Sequence, residues 1–382
     1  MNVTRFLRRL LLSSKTWRLP SERTLGMVVI ALLATSALAL VVHDSPDPRP
    51  AALPAPVEEG LAARALDDLA ASGAIPASPA TTVPPKKTRR PAKAQTTTVP
   101  EPAPAPSGGP APVGAPVGVA AYGGMGTWVD VYDWSATFTR GRPQVAPEAV
   151  DRMADLGVQT LYIQASKHDA PTTVLEPELL RSWIDRARHR GIRVVAWYLP
   201  TLVDPARDLD RMIAIAALPV DSVAVDIESK DVVGLAERNR RLVEFSAVLR
   251  KSLPGHTIGG IVLPPVVLEA VNPLYWPSFP YQQIAPYYDV WMTMGYWTNR
   301  VPASTYRDAH RYTKENVNRL RANLGLPDAL VHPIGGIGDR TTAVDLAGYR
   351  QAVTETGSIG GSVYDWRTTR PEQWEALQAF RR

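Results

Sequence analysis

From Thr127 onward, hydrophobic and polar positions repeat in one order: a short β-branched or aromatic run, a loop, then an amphipathic stretch. The runs predict strands over residues 128–132, 160–164, 193–198, 222–226, 257–263, 290–294, 330–334 and 361–365. Helices are predicted to begin near Pro147, Pro177, Pro205, Val233, Pro265, Thr305, Thr342 and Pro371. Four of these prolines (Pro147, Pro177, Pro205 and Pro371) suit a first helical turn, where the missing N–H has no intrahelical partner to lose. Gly157, Gly191, Gly325 and Gly357 each follow a helical run, where a left-handed residue ends a helix most easily. Leu235, Leu242, Phe245 and Leu249 trace one face of the fourth helix. Eight strands alternating with eight helices across residues 126–382 is the arithmetic of a (β/α)8 TIM barrel. A doubly wound open sheet is the alternative. It would carry a Gly-rich phosphate loop after its first strand, and this chain has Asp130-Val-Tyr-Asp-Trp134 there.

In such a barrel the chemistry sits where strands run into the loops before the helices. The fourth run reads Asp221-Ser-Val-Ala-Val-Asp226-Ile-Glu228. Side chains alternate along a strand, so Ala224, Asp226 and Glu228 share one face and Val223, Val225 and Ile227 the other. The apolar set meets the helices, which leaves two carboxylates in the barrel mouth. Neighbouring buried acids raise one another's pKa, and a carboxylic acid kept protonated that way can serve as a general acid. Other strand ends supply Asp130, Trp134, Gln164, Trp197, Tyr198, Trp297, Asp365 and Trp366 as candidate substrate contacts. Aromatic faces beside carboxylates suit sugar rings, whose C–H faces pack on π surfaces while their hydroxyls bond the acids. Core packing is the competing reading for each single aromatic. A long aromatic loop follows the fifth strand (Tyr275, Trp276, Phe279, Tyr281) and suits a cleft wall or a barrel cover. Gly335-Gly-Ile-Gly338 has no following Lys-Ser/Thr, so a tight turn accounts for it without a phosphate.

The first part of the chain reads differently. Residues 25–42 (LGMVVIALLATSALALVV) carry no charge, and 18 residues at ~1.5 Å each span ~27 Å, enough for a bilayer core. Six basic residues precede that run, which puts residues 1–24 in the cytoplasm and everything after residue 43 outside. Ala37-Leu38-Ala39 has the form of a cleavage site, so a secreted protein is the alternative to a single-pass signal anchor. Residues 44–125 hold 17 of the 36 prolines, which predicts a disordered Pro/Ala-rich linker over 43–125. In polyproline II form that tether reaches at most ~250 Å.

Charge and composition narrow the class. The net charge of +5 lies ahead of the linker, and residues 126–382 balance at 29 basic and 29 acidic. The high pI is therefore no nucleic-acid footprint, which needs a basic face on the folded domain. There is no cysteine, and the six histidines are scattered, so no zinc, iron–sulfur or other metal site and no cofactor is predicted.

Together these residues resemble two groups of glycoside hydrolases. Asp221-x-x-x-x-Asp226-x-Glu228 is similar to the fourth-strand Asp-x-x-Asp-x-Asp-x-Glu of chitinase-type family 18, and Met294-Gly-Tyr296 to that family's sixth-strand Met-x-Tyr. The resemblance implies Glu228 as general acid, Asp226 as the residue orienting a substrate acetamido group, and Tyr296 as support for the oxazolinium intermediate. Two departures stand out: Ala224 replaces the middle Asp, and Trp297 follows Tyr296 where that family has an Asp. Val129-Asp130-Val131-x-x-Trp134 and Asp226-Ile-Glu228 also resemble the first and fourth strands of family 25 muramidases. The expectation is a membrane-tethered bacterial enzyme acting outside the cell on an envelope polysaccharide that contains N-acetylhexosamine. A non-catalytic glycan-binding or scaffolding barrel is the alternative, which the missing middle Asp favours. A metal-dependent deacetylase is a third reading, which the lack of a His cluster disfavours.

Overall fold

Eight short runs of Val, Ile, aromatic and Gly residues form the strands of the computed structural model, which describes residues 118–380. They are β1 (Gly124–Val129), β2 (Thr160–Gln164), β3 (Arg193–Tyr198), β4 (Ser222–Ile227), β5 (Ile258–Val262), β6 (Val290–Thr293), β7 (Ile334–Ile337) and β8 (Gly360–Tyr364). All seven ladders are parallel, in the order β6-β5-β4-β3-β2-β1-β8-β7. Single parallel bridges, Trp291 to Val331 and Met294 to Ile334, join the two ends and close the barrel. Parallel neighbours require crossovers, and the intervening helices provide them on the outside. The (β/α)8 reading of the sequence therefore holds. The apolar span 25–42 and most of the Pro/Ala-rich stretch lie outside the described residues. Among the described residues, no helix is long and apolar enough to cross a membrane.

The helices follow from spacing and end residues. Helix Pro177–His189 opens on its proline and buries Leu180, Trp183, Ile184 and Ala187, one stripe of the 3.6-residue period. Trp183 is fully buried in that stripe, and its truncation to Ala removes ~3–5 kcal/mol of packing. Helix Ala309–Leu324 ends on Gly325 at φ +70°, whose amide donates back to Ala322 and Arg321. The fifth crossover departs from the pattern. It is a π-helical turn, Val267–Val271, followed by a loop and the short helix Tyr281–Ile284.

Two strands sit away from their predicted positions. β1 lies upstream of 128–132 and ends at Val129, because the Asp130 side chain accepts from the Tyr132 amide and starts a one-turn helix, Val131–Trp134. The glycines that disguise β1 are steric requirements: a Cβ on Gly126 would lie 2.6 Å from the Tyr162 ring. β7 likewise starts at Ile334 rather than 330. Its Gly335 and Gly336 make room for the Trp297 indole, 2.9 Å from an ideal Cβ at either position. The fold also reaches upstream of residue 126. Helix Gly118–Tyr122 packs under the barrel, with Ala121 and Tyr122 fully buried.

Tyr122 organises the barrel floor. Its hydroxyl donates to the Val223 carbonyl at 2.5 Å, and its own carbonyl accepts from His332 Nδ1 at 2.8 Å. A carbonyl only accepts, so Nδ1 carries the His332 proton and Nε2 accepts from Ser362 Oγ at 2.9 Å. Burial pushes the His332 pKa down to about 4, which keeps the ring neutral. With the floor closed by this network, the opposite end of the strands is left for chemistry.

Candidate active site

At β4 the inner face carries Ala224, Asp226 and Glu228. The register pairs Ala224 with Gly259, where a Cβ would strike the Met292 and Tyr122 side chains inside the barrel. Asp226 and Glu228 are 7% and 8% exposed, and Asp226 Oδ1 and Glu228 Oε2 have no hydrogen-bond partner. Burial, and then the Glu228 charge, hold the Asp226 carboxyl well above the ordinary carboxylate range. Burial pushes Glu228 up to about 7. Among the described residues no basic side chain is a cause for either acid. A carboxyl that is half protonated near neutral pH and slightly open to the mouth is suited to give up a proton and take it back.

A second set of acids sits where β1 meets β8. Asp130 accepts from the Tyr132 amide at 2.8 Å and from the Tyr364 hydroxyl at 2.7 Å, and burial with the Asp365 charge raises it to about 6. Asp365, 4% exposed, accepts from the Thr368 amide at 2.8 Å and is raised by burial. Asp133 joins them. Carboxylate oxygens of Asp130, Asp133 and Asp365 all lie within 4.8 Å of one another. Asp133 is 1% exposed, and burial followed by the charges of Asp130 and Asp365 raises it to about 9. Arg367 Nε lies 2.7 Å from Asp133 Oδ1 and opposes that rise. An all-oxygen set of this kind suits a hard divalent cation in general. Here the Arg367 guanidinium already supplies positive charge.

Tyr296 stands between the two sets. Burial, then the charges of Glu228, Asp226, Asp365 and Asp130 in that order, push its hydroxyl far above the ordinary phenol range. It therefore stays a neutral donor. Its ring centroid is 5.8 Å from that of Tyr364, the phenol bonded to Asp130.

The other candidates separate by face. Trp197 is on the inner face of β3, 5% exposed and edge-on to Trp128 at 6.1 Å. Gln164 braces the site from behind, accepting from the Val131 amide at 3.1 Å just after Asp130. Three aromatics leave the substrate set. Trp134 is fully buried and donates to the Gln164 carbonyl at 3.0 Å. Tyr198 falls on the outer face of β3, where its hydroxyl donates to Asp208 on helix Pro205–Ala216 at 2.5 Å. Trp297 packs 5.2 Å from Tyr349 of helix Ala343–Glu355 and fills the space left by Gly335 and Gly336. Trp366 is half buried at the rim, 5.2 Å from Trp374.

Two more residues belong to the mouth. Asp133 directly follows the first predicted strand and lies in the turn Val131–Trp134. Tyr275 is the other: burial and then the Glu228 charge raise its hydroxyl to about 12. Lys230 Nζ sits 3.8 Å from the Tyr275 ring centroid and ties the loop after β5 to the loop after β4. Trp276, 1% exposed, makes part of the loop after β5 a cover over the barrel.

No protein-family model matches the chain, and no curated protein matches it. Solved structures do. The spore cortex-lytic enzyme SleL of Bacillus cereus aligns with a TM-score of 0.51 at 11% identity, over 68% of this chain and 74% of that one. A GH18 chitinase from Pseudoalteromonas aurantia aligns with a TM-score of 0.47 at 14% identity, over 67% and 98%. The endo-1,4-β-D-mannanase of Thermotoga petrophila gives a TM-score of 0.48 at 9% identity, over 64% and 88%. At such identities the likeness to SleL is one of fold.

Proposed function

We propose that the barrel is a glycoside hydrolase acting on a polysaccharide that contains N-acetylhexosamine. One observation carries this reading: Asp226 and Glu228 lie side by side at the end of β4, buried, without a counter-cation among the described residues and with Glu228 raised to about 7. Protonated Glu228 gives its proton to the glycosidic oxygen as the bond to the anomeric carbon breaks. Asp226 holds the substrate acetamido group so that its carbonyl oxygen closes on the anomeric carbon from the other face, and the Tyr296 hydroxyl donates to that group. Glu228, now a carboxylate, takes the proton of the water that opens the intermediate. Substrate assistance of this kind is an exception to the two-carboxylate scheme. Asp130, raised to about 6, supplies the alternative, a base for a water that attacks without help from the substrate.

The test is the release of reducing ends from purified bacterial wall glycan and from N-acetylhexosamine oligomers by the detergent-purified full chain. Wild-type release that falls at least ~10²-fold in Glu228→Gln supports the reading. Glycan retained by the wild type with no release from any substrate replaces it with the binding barrel.

The apolar span 25–42 and the Pro/Ala-rich stretch that follows support an activity outside the cell, on a membrane tether. Protease added to intact cells should then remove the barrel while leaving residues 1–24 protected. A chain released to the medium without those residues would favour a cleaved signal.

A further inference from the structure

The rim of the barrel between the β1 and β8 loops holds a cavity of about 400 Å³ that the reaction above leaves unused. Trp366, Trp374, Arg152, Arg367, Gln144 and Pro371 are among its lining residues. The sequence builds it simply. Trp366 follows Asp365 directly, and Pro371 opens helix Pro371–Leu377, whose first turn carries Trp374 inward to meet Trp366 with centroids 5.2 Å apart. Across from them, helix Ala149–Asp155 contributes Arg152.

The charge of the lining is one-sided: both charged residues are arginines, and no carboxylate lines the cavity. The acids flanking Arg152 are engaged elsewhere. Asp151 pairs with Arg186 and Arg190 at 2.5 and 3.0 Å, and Asp155 with Arg190 at 2.6 Å. Arg152 makes no ion pair among the described residues. Arg367 spends its Nε on Asp133 at 2.7 Å, and its side chain is still 49% exposed.

We propose that this cavity binds an acidic sugar residue, one carrying a carboxylate, of the glycan chain. The half-buried Trp366 indole, backed by the buried Trp374, offers an apolar face for pyranose C–H groups, and the guanidinium groups offer forked donors that match a carboxylate. Arg152 is exposed, and Arg367 keeps donors beyond its Asp133 pair, so a carboxylate gains partners here that a neutral sugar lacks. A bare inorganic anion would leave the Trp366 face unused. The cavity also communicates with the chemistry, since Arg367 contacts Asp133, whose carboxylate lies within 4.8 Å of those of Asp130 and Asp365. The assignment rests on the glycosidase reading only in making this sugar part of the substrate.

Binding to full-chain Glu228→Gln is measured by calorimetry, so that no turnover intervenes. The probes are a tetrasaccharide alternating N-acetylglucosamine with glucuronate, the neutral N-acetylglucosamine tetramer, and sulfate. The acidic tetramer should bind about tenfold tighter than the neutral one at low salt. Adding Arg152→Ala or Trp366→Ala to that background should abolish the difference, and about 0.5 M NaCl should shrink it. Unchanged melting temperatures verify that both variants fold. Equal affinities for the two tetramers overturn the proposal, as does a preference that survives both substitutions. So does sulfate matching the acidic tetramer without any dependence on Trp366, which would reduce the cavity to an anion site. These outcomes are independent of hydrolysis, so a failed glycosidase reading and a failed subsite are told apart.

Discussion

The acids at the end of β4 and those where β1 meets β8 share burial and differ in their surroundings. Asp130 has an amide and a phenol on its two oxygens, Asp365 has the Thr368 amide, and Asp133 has the Arg367 guanidinium. Among the described residues, Asp226 and Glu228 each keep an oxygen without a partner, and no cation lowers either pKa. Acids with hydrogen-bond donors, Asp130 and Asp365, are held in shape, and Asp133, raised to about 9, sits neutral beside its guanidinium. Uncompensated acids store an unfavourable interaction that a substrate can relieve, by accepting a proton from one and a hydrogen bond from the other. On this contrast we assign the reacting proton to β4 and a supporting role to the β1/β8 set.

The sharpest way to break the contrast is to neutralise one acid of each set. Asp226→Asn should cut kcat about 10²-fold on N-acetylated oligomers, while Asp130→Asn should cost less than about tenfold. Equal losses would transfer the base role to Asp130 and make the mechanism a two-carboxylate one. Release of reducing ends, measured for both variants on N-acetylated and de-N-acetylated oligomers, decides it.

Stability sharpens the contrast from another side. Glu228 is raised in the fold from 4.5 to about 7, so the folded chain takes up a proton before the unfolded chain does. Its contribution to stability therefore grows as pH falls from about 7 toward 4.5 and is unfavourable above 7. Glu228→Gln should raise urea stability by about 1–3 kcal/mol at pH 8 and lose that advantage near pH 4.5. Arg367→Ala should change stability by less than about 0.5 kcal/mol at pH 8, because Asp133, raised to about 9, is already largely protonated there. A gain at pH 8 in Arg367→Ala as large as that in Glu228→Gln would erase the distinction between the two sets.

The barrel floor provides a smaller, independent check. His332 is lowered from 6.5 to about 4, so the stability it contributes is complete above 6.5 and is lost as pH falls through that window toward 4. This slope opposes that of Glu228, and His332→Gln should flatten it by about 1–3 kcal/mol. The smallest effect belongs to the loop after β5. Tyr275→Ala should raise KM a few-fold with little change in kcat, if the ring packs sugar beside Glu228 rather than moving a proton.

Much of this arrangement was legible in the chain. Period-2 alternation put Asp226 and Glu228 on one face because nothing on β4 interrupts it. First-turn prolines located helices Pro177–His189, Pro205–Ala216 and Pro371–Leu377 to the residue. What escaped was set by contacts far apart in sequence. β1 and β7 hid behind glycines whose purpose, room for Tyr162 and Trp297, exists only once the barrel closes. Tyr198 and Trp297 read as mouth residues because a strand end does not reveal which face the next residue takes. The pairing of Asp133 with Arg367 was not readable either, because the two lie in the β1 and β8 loops at opposite ends of the domain's sequence.

The central claim, that Glu228 is held as an acid ready to donate at neutral pH, is tested most directly by titrating its side-chain carboxyl carbon. NMR on carboxyl-labelled protein, with Glu228→Gln used to assign the signal, follows that one group. A midpoint near 7 is expected. A midpoint near ~4.3, that of an unperturbed glutamate, would contradict it and leave a barrel that holds glycan without cleaving it.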